Sequence, residues 1–461
     1  MTDLAQTVRD HYPGNTYQDI ALADGDTLPP QLREQRNPSQ ATTDIPFARY
    51  TDRAFFDREM QRMWRKVWQF ACREEHVPEV GDFYVYDIGR MSLIVMRTED
   101  GLRAYHNSCL HRGTKLKPSG SNGWSGSIAC PFHGWEWTLA GNVKNIPCAW
   151  EFPHLDQANA RLPQVRVESW NGFIFVNIDL AAPPLADYLE IVPEHFAHWD
   201  MAGWYVHTHV RKRLPGNWKL AQEAFMEAYH TPVAHPEMTH VVSDHNMQHD
   251  ILSRHVSRDL CAMASPSPTS TLAQSQQDLL DKMLVGDPAT AGMKTLVPEG
   301  KTARSVMADQ LRRQMADRYG LDYSARSVPE MIDSLKYNIF PNLILYPSIG
   351  LPLLQLFRPD GHHQDRCLFD QMVFKPKPTD RSHWEPAEMV LIEEQQSYTE
   401  VEGMDPFFAH VLDQDTDIMR WQREGMYASE KGAETLSIYQ ESRIRHLHDT
   451  LDSYLADGDG R

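Results

Sequence analysis

The chain lacks any long apolar run. No stretch reaches the ~18–20 residues that a helix needs to cross a bilayer, so no membrane span is expected. Positive charge is also short: 45 Lys and Arg stand against 63 Asp and Glu, a formal net charge of −18. Such a chain repels phosphate backbones, and nucleic acid is not expected as a partner. A partner with a basic patch suits this charge, which also simply keeps a protein in solution. The start, Met1-Thr2-Asp3-Leu4-Ala5-Gln6, has no basic stretch followed by an apolar one, so no secretory signal is expected and a cytoplasmic location is. No Gly-x-Gly-x-x-Gly fingerprint occurs, so the chain is not expected to bind a nicotinamide dinucleotide itself. Cysteine is scarce, with only Cys72, Cys109, Cys130, Cys148, Cys261 and Cys367. In a reducing compartment, metal ligation is the better use for so few.

What is present is a globular composition, 41% hydrophobic and 23% charged over 461 residues, long enough for two domains. Residues 1–45 read as a polar, irregular arm that wraps or docks. Residues 52–68 carry a helical stripe of Phe56, Glu59, Met60, Met63, Trp64 and Val67. Strands follow at 82–86 and 92–96, then the Asp100-Gly101 turn into 102–105, and a buried strand at 172–178. Ala181-Ala182-Pro183-Pro184 marks a boundary. The divisions are therefore an arm at 1–45, a β-rich domain at 46–182 and a second, α+β domain at 183–461. In the second, residues 217–230 read as a helix ending before Pro232. Met307, Leu311, Met315 and Tyr319 form a stripe stopped by Gly320, strands lie at 343–346, 351–357 and 367–374, and residues 414–456 read as helical. Ser265–Thr271 is a short low-complexity loop and a candidate lid.

The first constellation is Cys109-Leu110-His111-Arg112-Gly113 followed, with eighteen residues between His111 and Cys130, by Cys130-Pro131-Phe132-His133-Gly134. Two loops that each present one thiolate and one imidazole can close on Zn²⁺ or on a Rieske [2Fe–2S] cluster. Zinc pairs usually keep ligands two to four residues apart, and a Cys-x-His pair is unusual for them. The other four cysteines have no matching histidine loop and are expected to be buried apolar residues.

The second runs from Asn217-Trp218-Lys219 to His235. On a helix, Glu223, Glu227 and His230 share one face. Pro232 ends that helix and the chain turns, bringing His235 beside His230. Two imidazoles and one carboxylate from elsewhere make the facial triad of a non-heme Fe(II) site. His240 is the runner-up ligand, because His235 and His240 repeat the spacing. His240, His245, His249 and His255 are expected around the pocket or at the surface.

Both constellations resemble those of Rieske-type non-heme iron ring-hydroxylating oxygenases, in the large (alpha) terminal oxygenase subunit. The likeness covers residues 46 to the C-terminal helices. It implies cluster ligands Cys109, His111, Cys130 and His133, and a mononuclear Fe(II) held by His230, His235 and a downstream Asp. Asp415 is the choice, with Asp413 and Asp417 as rivals and a helix N-cap as the ordinary role of Asp413. It also assigns Asn217 and Glu227 to the catalytic machinery, Glu227 as the bridge that a Rieske histidine of a neighbouring subunit touches. Most ring-hydroxylating members have Asp there, and members acting on quaternary amines have Glu. Thr114 and Phe132 stand where respiratory Rieske proteins place extra cysteines, which implies a potential near the low end of the range, about −150 mV rather than +300 mV. The implied fold is an all-β Rieske domain before a helix-grip catalytic domain. The implied activity is hydroxylation of an aromatic or other organic substrate with O₂ and NAD(P)H electrons from a separate reductase, with or without a ferredoxin. The alternatives are cleavage of C–N or C–O bonds, as in quaternary amines, or electron carriage alone. A homotrimer is implied, and a β-subunit is left open. Phe225, Met226, Met247, Leu353 and Phe357 are candidate pocket residues, each equally at home in a core.

Overall fold

Strand alternation builds the first layer. The computed structural model describes residues 15–38, 41–156, 159–197, 199–270, 272–284, 295–378 and 384–456. Seven strands pair as one sheet in the order Gln69–Arg73, Phe173–Asn177, Gln164–Trp170, Gly101–His106, Met91–Thr98, Asp82–Ile88, Asn122–Trp124. Gly101, with φ +106°, supplies the left-handed conformation that its hairpin turn needs. Phe173–Asn177 is buried along its whole length, as its unbroken apolar run requires. Three short strands, Ile128–Ala129, Glu136–Trp137 and Val143–Asn145, form a separate sheet.

The second layer is an eight-stranded curved sheet. Its order is Gln248–Ile251, Val256–Cys261, Ser334–Ile339, Leu343–Pro347, Pro352–Pro359, Cys367–Pro376, Trp204–Leu214, Met389–Ile392, antiparallel except for the last pair. The register puts Asp259, Lys336, Asn338, Ile344, Tyr346, Gln355, Phe357, Phe369 and Gln371 on one face. The short helix Trp218–Glu223 packs on that face, and the helices Pro406–Ala428 and Ser442–Ala456 pack beside it. The chain is thus α+β, with a β domain ahead of a sheet that grips a helix.

One buried ion cluster on the other face ties the layers together. Asp370 accepts from His209 Nε2 (2.7 Å), Arg211 Nε (2.8 Å) and Arg358 Nη2 (3.0 Å). Arg358 Nη1 also donates to the Asp87 carbonyl in the first sheet (3.1 Å). Burial opposes the Asp370 charge, but the two guanidiniums outweigh it and hold the carboxyl well below its usual range. A depressed folded-state pKa contributes stability above the unfolded value of about 3.9, lost as pH falls through the folded one. Asp370→Ala leaves two buried cations unpaired and is expected to cost about 3–5 kcal/mol at neutral pH. Urea unfolding checks this, and an unchanged midpoint would show that the cluster contributes nothing.

Five readings need correction. The arm is not irregular where it is described. Helices Tyr17–Ala23 and Pro30–Arg33 and the turn between them pack Tyr17, Ala21, Leu28 and Leu32 against Leu260 and Leu335 of the large sheet and the adjoining Ala262. The 52–68 helix is Arg53–Arg58 followed by a π turn, Glu59–Met63. That turn buries Glu59, whose carboxylate takes Lys219 Nζ at 2.6 Å. The C-terminal helix begins earlier, at Pro406 behind the Asp405 cap, and a strand at Ala433–Glu434 separates it from Ser442–Ala456. Cys148 is exposed, while Cys72, Cys261 and Cys367 are buried as expected.

The fifth is the helix at 217–230, which stops at Glu223. Beyond it the bonds tighten to i−3, Phe225 N to Gln222 O and Met226 N to Glu223 O. Two buried cations take the carbonyls a longer helix would have used. Lys336 Nζ donates to Phe225 O (3.2 Å) and Arg443 Nη1 to Met226 O (3.0 Å). Pro232 does not end this helix but lies in the first turn of the next, Thr231–Ala234, where a missing N–H costs nothing.

Candidate functional site

The two Cys/His loops are built alike. Gly113 N donates to Cys109 O (2.9 Å) and Cys109 N to Thr114 O (2.8 Å). In the other loop Gly134 N donates to Cys130 O (3.1 Å) and Cys130 N to Trp135 O (2.8 Å). Gly113 and Gly134 have φ of +76° and +73°, which lets each loop fold back on its cysteine. The loops converge: His111 Nδ1 and His133 Nδ1 are 3.2 Å apart, and the Cys109 and Cys130 thiols contact each other. The N–H groups of His111 and Arg112 point to Cys109 sulfur, and those of Phe132 and His133 to Cys130 sulfur, with the Thr114 hydroxyl beside them. His111 stacks on Trp135, with ring centres 5.2 Å apart. Two thiolates on one side and two imidazoles on the other are the donor set of a Rieske cluster, and N–H···S contacts are among the features that tune it.

The second site forms where the tight turn after Glu223 meets the helix Pro406–Ala428. His230 Nε2 and His235 Nε2 lie 3.3 and 2.8 Å from one oxygen, Asp415 Oδ1. The three donors therefore surround one point. Each imidazole is aimed by its other nitrogen. His230 Nδ1 is 2.5 Å from Glu227 Oε1, and His235 Nδ1 is 2.7 Å from Gln414 Oε1. Those acceptors hold the Nδ1 protons and leave both Nε2 atoms for a metal. Burial acts to lower the basicity of His230, but Asp415 and Glu227 outweigh it and raise its pKa to about 10. Asp415 is held below its usual range despite burial, by His230 and His235. The site favours positive charge at the point where Fe(II) would sit. Two imidazoles and one carboxylate are the donor set of a non-heme iron.

The rivals of Asp415 lie elsewhere. Asp413 is not a cap but sits within the helix, accepting from Tyr398 N (3.1 Å) and Lys212 Nζ (3.4 Å). Asp417 is exposed. His240 is outside the cluster, His249 packs on Tyr439, and His255 bonds Tyr454 Oη at 2.9 Å. Asn217 caps its helix through Lys219 N, and its amide donates to the carbonyls of Tyr50 and Gln364. It is a latch that starts the helix and has no contact with the histidines. Glu223 also turns away from the histidines, toward Tyr50. Phe225 and Phe357 pack with Phe369 in the core, with Phe357 and Phe369 stacked at 4.7 Å. Ser265 and Ser267 pair with Val241 O and Thr239 O, so their loop lies on the segment after His235, while Thr271 is outside the described residues. Sequence reasoning missed Gln414, Lys336 and Arg443. Gln414 adjoins Asp415 and was within reach, but the two cations had no pattern to announce them.

Comparison with known proteins decides the family. Residues 200–457, more than half the chain, match the ring hydroxylating alpha subunit (catalytic domain), and residues 67–163 match the Rieske [2Fe-2S] domain.

The chain belongs to the ring-hydroxylating alpha-subunit family.

Among curated family members, biphenyl 2,3-dioxygenase subunit alpha of Rhodococcus jostii (strain RHA1) is 33% identical over 189 residues, covering 39% of this chain and 41% of that one. The carnitine monooxygenase oxygenase subunit of Escherichia coli (strain K12) is 32% identical over 209 residues, covering 43% and 54%. The aligned stretch spans about half the length of these relatives. A solved quaternary ammonium Rieske monooxygenase superposes with a TM-score of 0.62 at 15% identity, covering 89% of this chain and 95% of that one. Naphthalene 1,2-dioxygenase with indole bound superposes at 0.63 and 18%, covering 92% and 95%. The fold is therefore shared over about nine-tenths of the chain. No helix among the described residues is long and apolar enough to cross a membrane.

Proposed function

We propose that this alpha subunit is the terminal oxygenase of a multicomponent system, hydroxylating an aromatic or other organic substrate with O₂. The observation that supports it most is the convergence of His230, His235 and Asp415 on one point in a chain that also folds a complete pair of Rieske loops. Cys109 and Cys130 would hold one iron of the cluster and His111 and His133 the other. The mononuclear iron, when bound by His230, His235 and Asp415, supplies O₂ activation at its open positions. The protein's part is orientation. Glu227 and Gln414 keep the Nδ1 protons in place, and the buried sheet face limits water around the reacting groups. Electrons are taken to come from NAD(P)H through a separate reductase, with or without a ferredoxin.

A homotrimer belongs to this reading. Leu110, Phe132 and Trp150 are exposed around the cluster loops, and Tyr229, Val233, Ile418 and Trp421 around the iron ligands. Apolar groups at both places suit contacts between chains. Glu227, at the edge of the second patch, is the residue through which a neighbour's cluster would reach His230. A second reading, C–N cleavage of a quaternary amine, is favoured by Glu rather than Asp at 227 and by the likeness to the carnitine monooxygenase subunit and its solved relative.

Iron, sulfide and visible spectroscopy of the purified chain test the proposal. About three irons and two sulfides, with a red-brown colour bleached by dithionite, are expected. Two irons that Fe(II) cannot raise to three would support an electron carrier instead, and zinc alone would exclude both. Product formation from an arene set against a quaternary amine, with a surrogate reductase, then separates the two oxygenase readings.

A further inference from the structure

A second buried cluster lies at the far end of the helix Trp218–Glu223 from Asn217, apart from the iron ligands. It joins Tyr50 from the N-terminal segment, Glu223 from that helix, Glu434 from the strand Ala433–Glu434 and His448 from the last helix. Tyr50 Oη is 2.6 Å from Glu434 Oε1, 2.9 Å from Glu223 Oε2, 3.0 Å from Glu223 Oε1 and 2.9 Å from His448 Nε2. His448 Nε2 is also 3.0 Å from Glu223 Oε1. Tyr50, Glu223 and His448 are buried, and Glu434 is half-buried.

Counting hydrogens orders these contacts. Arg49 Nη1 approaches His448 Nδ1 (3.5 Å) and can only donate, so the ring proton is on Nε2, between Tyr50 Oη (2.9 Å) and Glu223 Oε1 (3.0 Å). Tyr50 has one proton, and its shortest contact gives it to Glu434. The contact between Tyr50 Oη and Glu223 Oε2 then needs a proton on Glu223. Without it, two buried carboxylates would share one hydroxyl.

A divalent cation would also satisfy two carboxylates and an imidazole. The surroundings favour a proton instead: Arg49 and Lys219 already face the cluster, and the imidazole presents an N–H. Glu441, Arg445, Asp449 and Asp452 complete its charged surroundings. Burial pushes Glu223 up to about 7, and burial with the Glu223 charge pushes Glu434 up to about 8.

We propose that Glu223, Tyr50 and Glu434 form a proton relay between the half-buried surface at Glu434 and the helix that leads into the iron-ligand turn. From the state just derived, the proton on Glu223 passes to Tyr50 Oη while the Tyr50 proton passes to Glu434 Oε1. The reverse step returns both. One O–H bond forms and one breaks at the hydroxyl, and the relay carries one exchangeable proton and one negative charge throughout. Two-electron oxygenation takes up two protons (O₂ + 2e⁻ + 2H⁺ + R–H → R–OH + H₂O). This use of the relay rests on the oxygenase reading, whereas the relay itself does not.

The test has two parts, both on the metal-loaded full chain. Infrared difference spectra in H₂O and D₂O should show a protonated carboxyl band at pH 6 that disappears as pH rises through about 7–8, and Glu223→Gln should remove it. With substrate, Glu434→Gln should lower kcat at least about tenfold. It should remove the ionisation near pH 7–8 from the kcat profile and leave KM unchanged. Glu434 is half-buried, so this variant keeps the test usable if Tyr50→Phe fails to fold. Absence of the band in the unsubstituted chain overturns the relay whether or not turnover is found. A folded, iron-loaded Glu434→Gln chain with an unchanged pH profile overturns its catalytic use. A protein that shows the band but oxygenates nothing overturns the oxygenase reading alone.

Discussion

Asp415→Ala is expected to keep the iron–sulfur cluster and lose the mononuclear iron, with product formation down on the order of 10³-fold. The direction follows from the donor count. Among the described residues, Asp415 Oδ1 is the one carboxylate oxygen within reach of both His230 and His235, and two neutral imidazoles alone hold Fe(II) poorly. The magnitude follows from losing a metal that contributes several kcal/mol to the transition state, at about 1.4 kcal/mol per tenfold. The helix should survive, because Leu412, Thr416 and Met419 stay buried around the deletion. The measurement is iron and sulfide per chain, expected to fall from about three irons to two with sulfide unchanged. Asp413→Ala is the control. It removes the partner of Lys212, Ser397 and Tyr398, so it should cost stability, about 1–3 kcal/mol, and leave the iron in place. Iron loss in the Asp413 variant with retention in the Asp415 variant would reverse the assignment.

Glu227→Gln is expected to retain both metals and slow electron transfer from cluster to iron by on the order of 100-fold. Glu227 Oε1 holds His230 Nδ1 at 2.5 Å, and Oε2 accepts from the backbone N–H of Tyr229 and His230. The same carboxylate thus shapes the ligand turn and sets the imidazole proton. Glutamine keeps the shape and one acceptor oxygen but removes the charge that orients and polarises the ring. Stopped-flow reoxidation of the dithionite-reduced cluster, with O₂ and a turnover substrate, reads the step directly. Reoxidation at the unsubstituted rate would leave Glu227 as a turn residue only.

These two residues show how far residue pattern reaches. His230, His235 and Glu227 lie in one short segment, and local spacing places them near one another whatever the rest of the fold does. Asp415 lies 180 residues from His235 along the chain, and three aspartates at alternate positions look alike in one dimension. A helix sets Asp415 apart from the other two, because a step of two residues turns the side chain by about 200°. Asp415 therefore faces the histidines, while on the other side Asp413 meets Lys212 and Asp417, one turn on, is exposed. The shared helical face of Glu223, Glu227 and His230 was a fair reading of spacing. It failed because Lys336 and Arg443, from a distant strand and the last helix, capture the carbonyls of Phe225 and Met226.

The sequence by itself determined the chemistry on offer: two Cys/His loops closed by glycines, a His pair five residues apart with its supporting carboxylate, and alternating apolar strands for two sheets. Those features are local, and short-range backbone geometry enforces them. Tertiary structure alone decided which of three aspartates meets the two histidines, where the helix after Asn217 ends, and that Glu223 points to a tyrosine and a second glutamate instead of the histidines. Each of those outcomes depends on a buried charge finding its partner from another segment, because leaving it unpaired in the interior costs more than bending the chain to meet it.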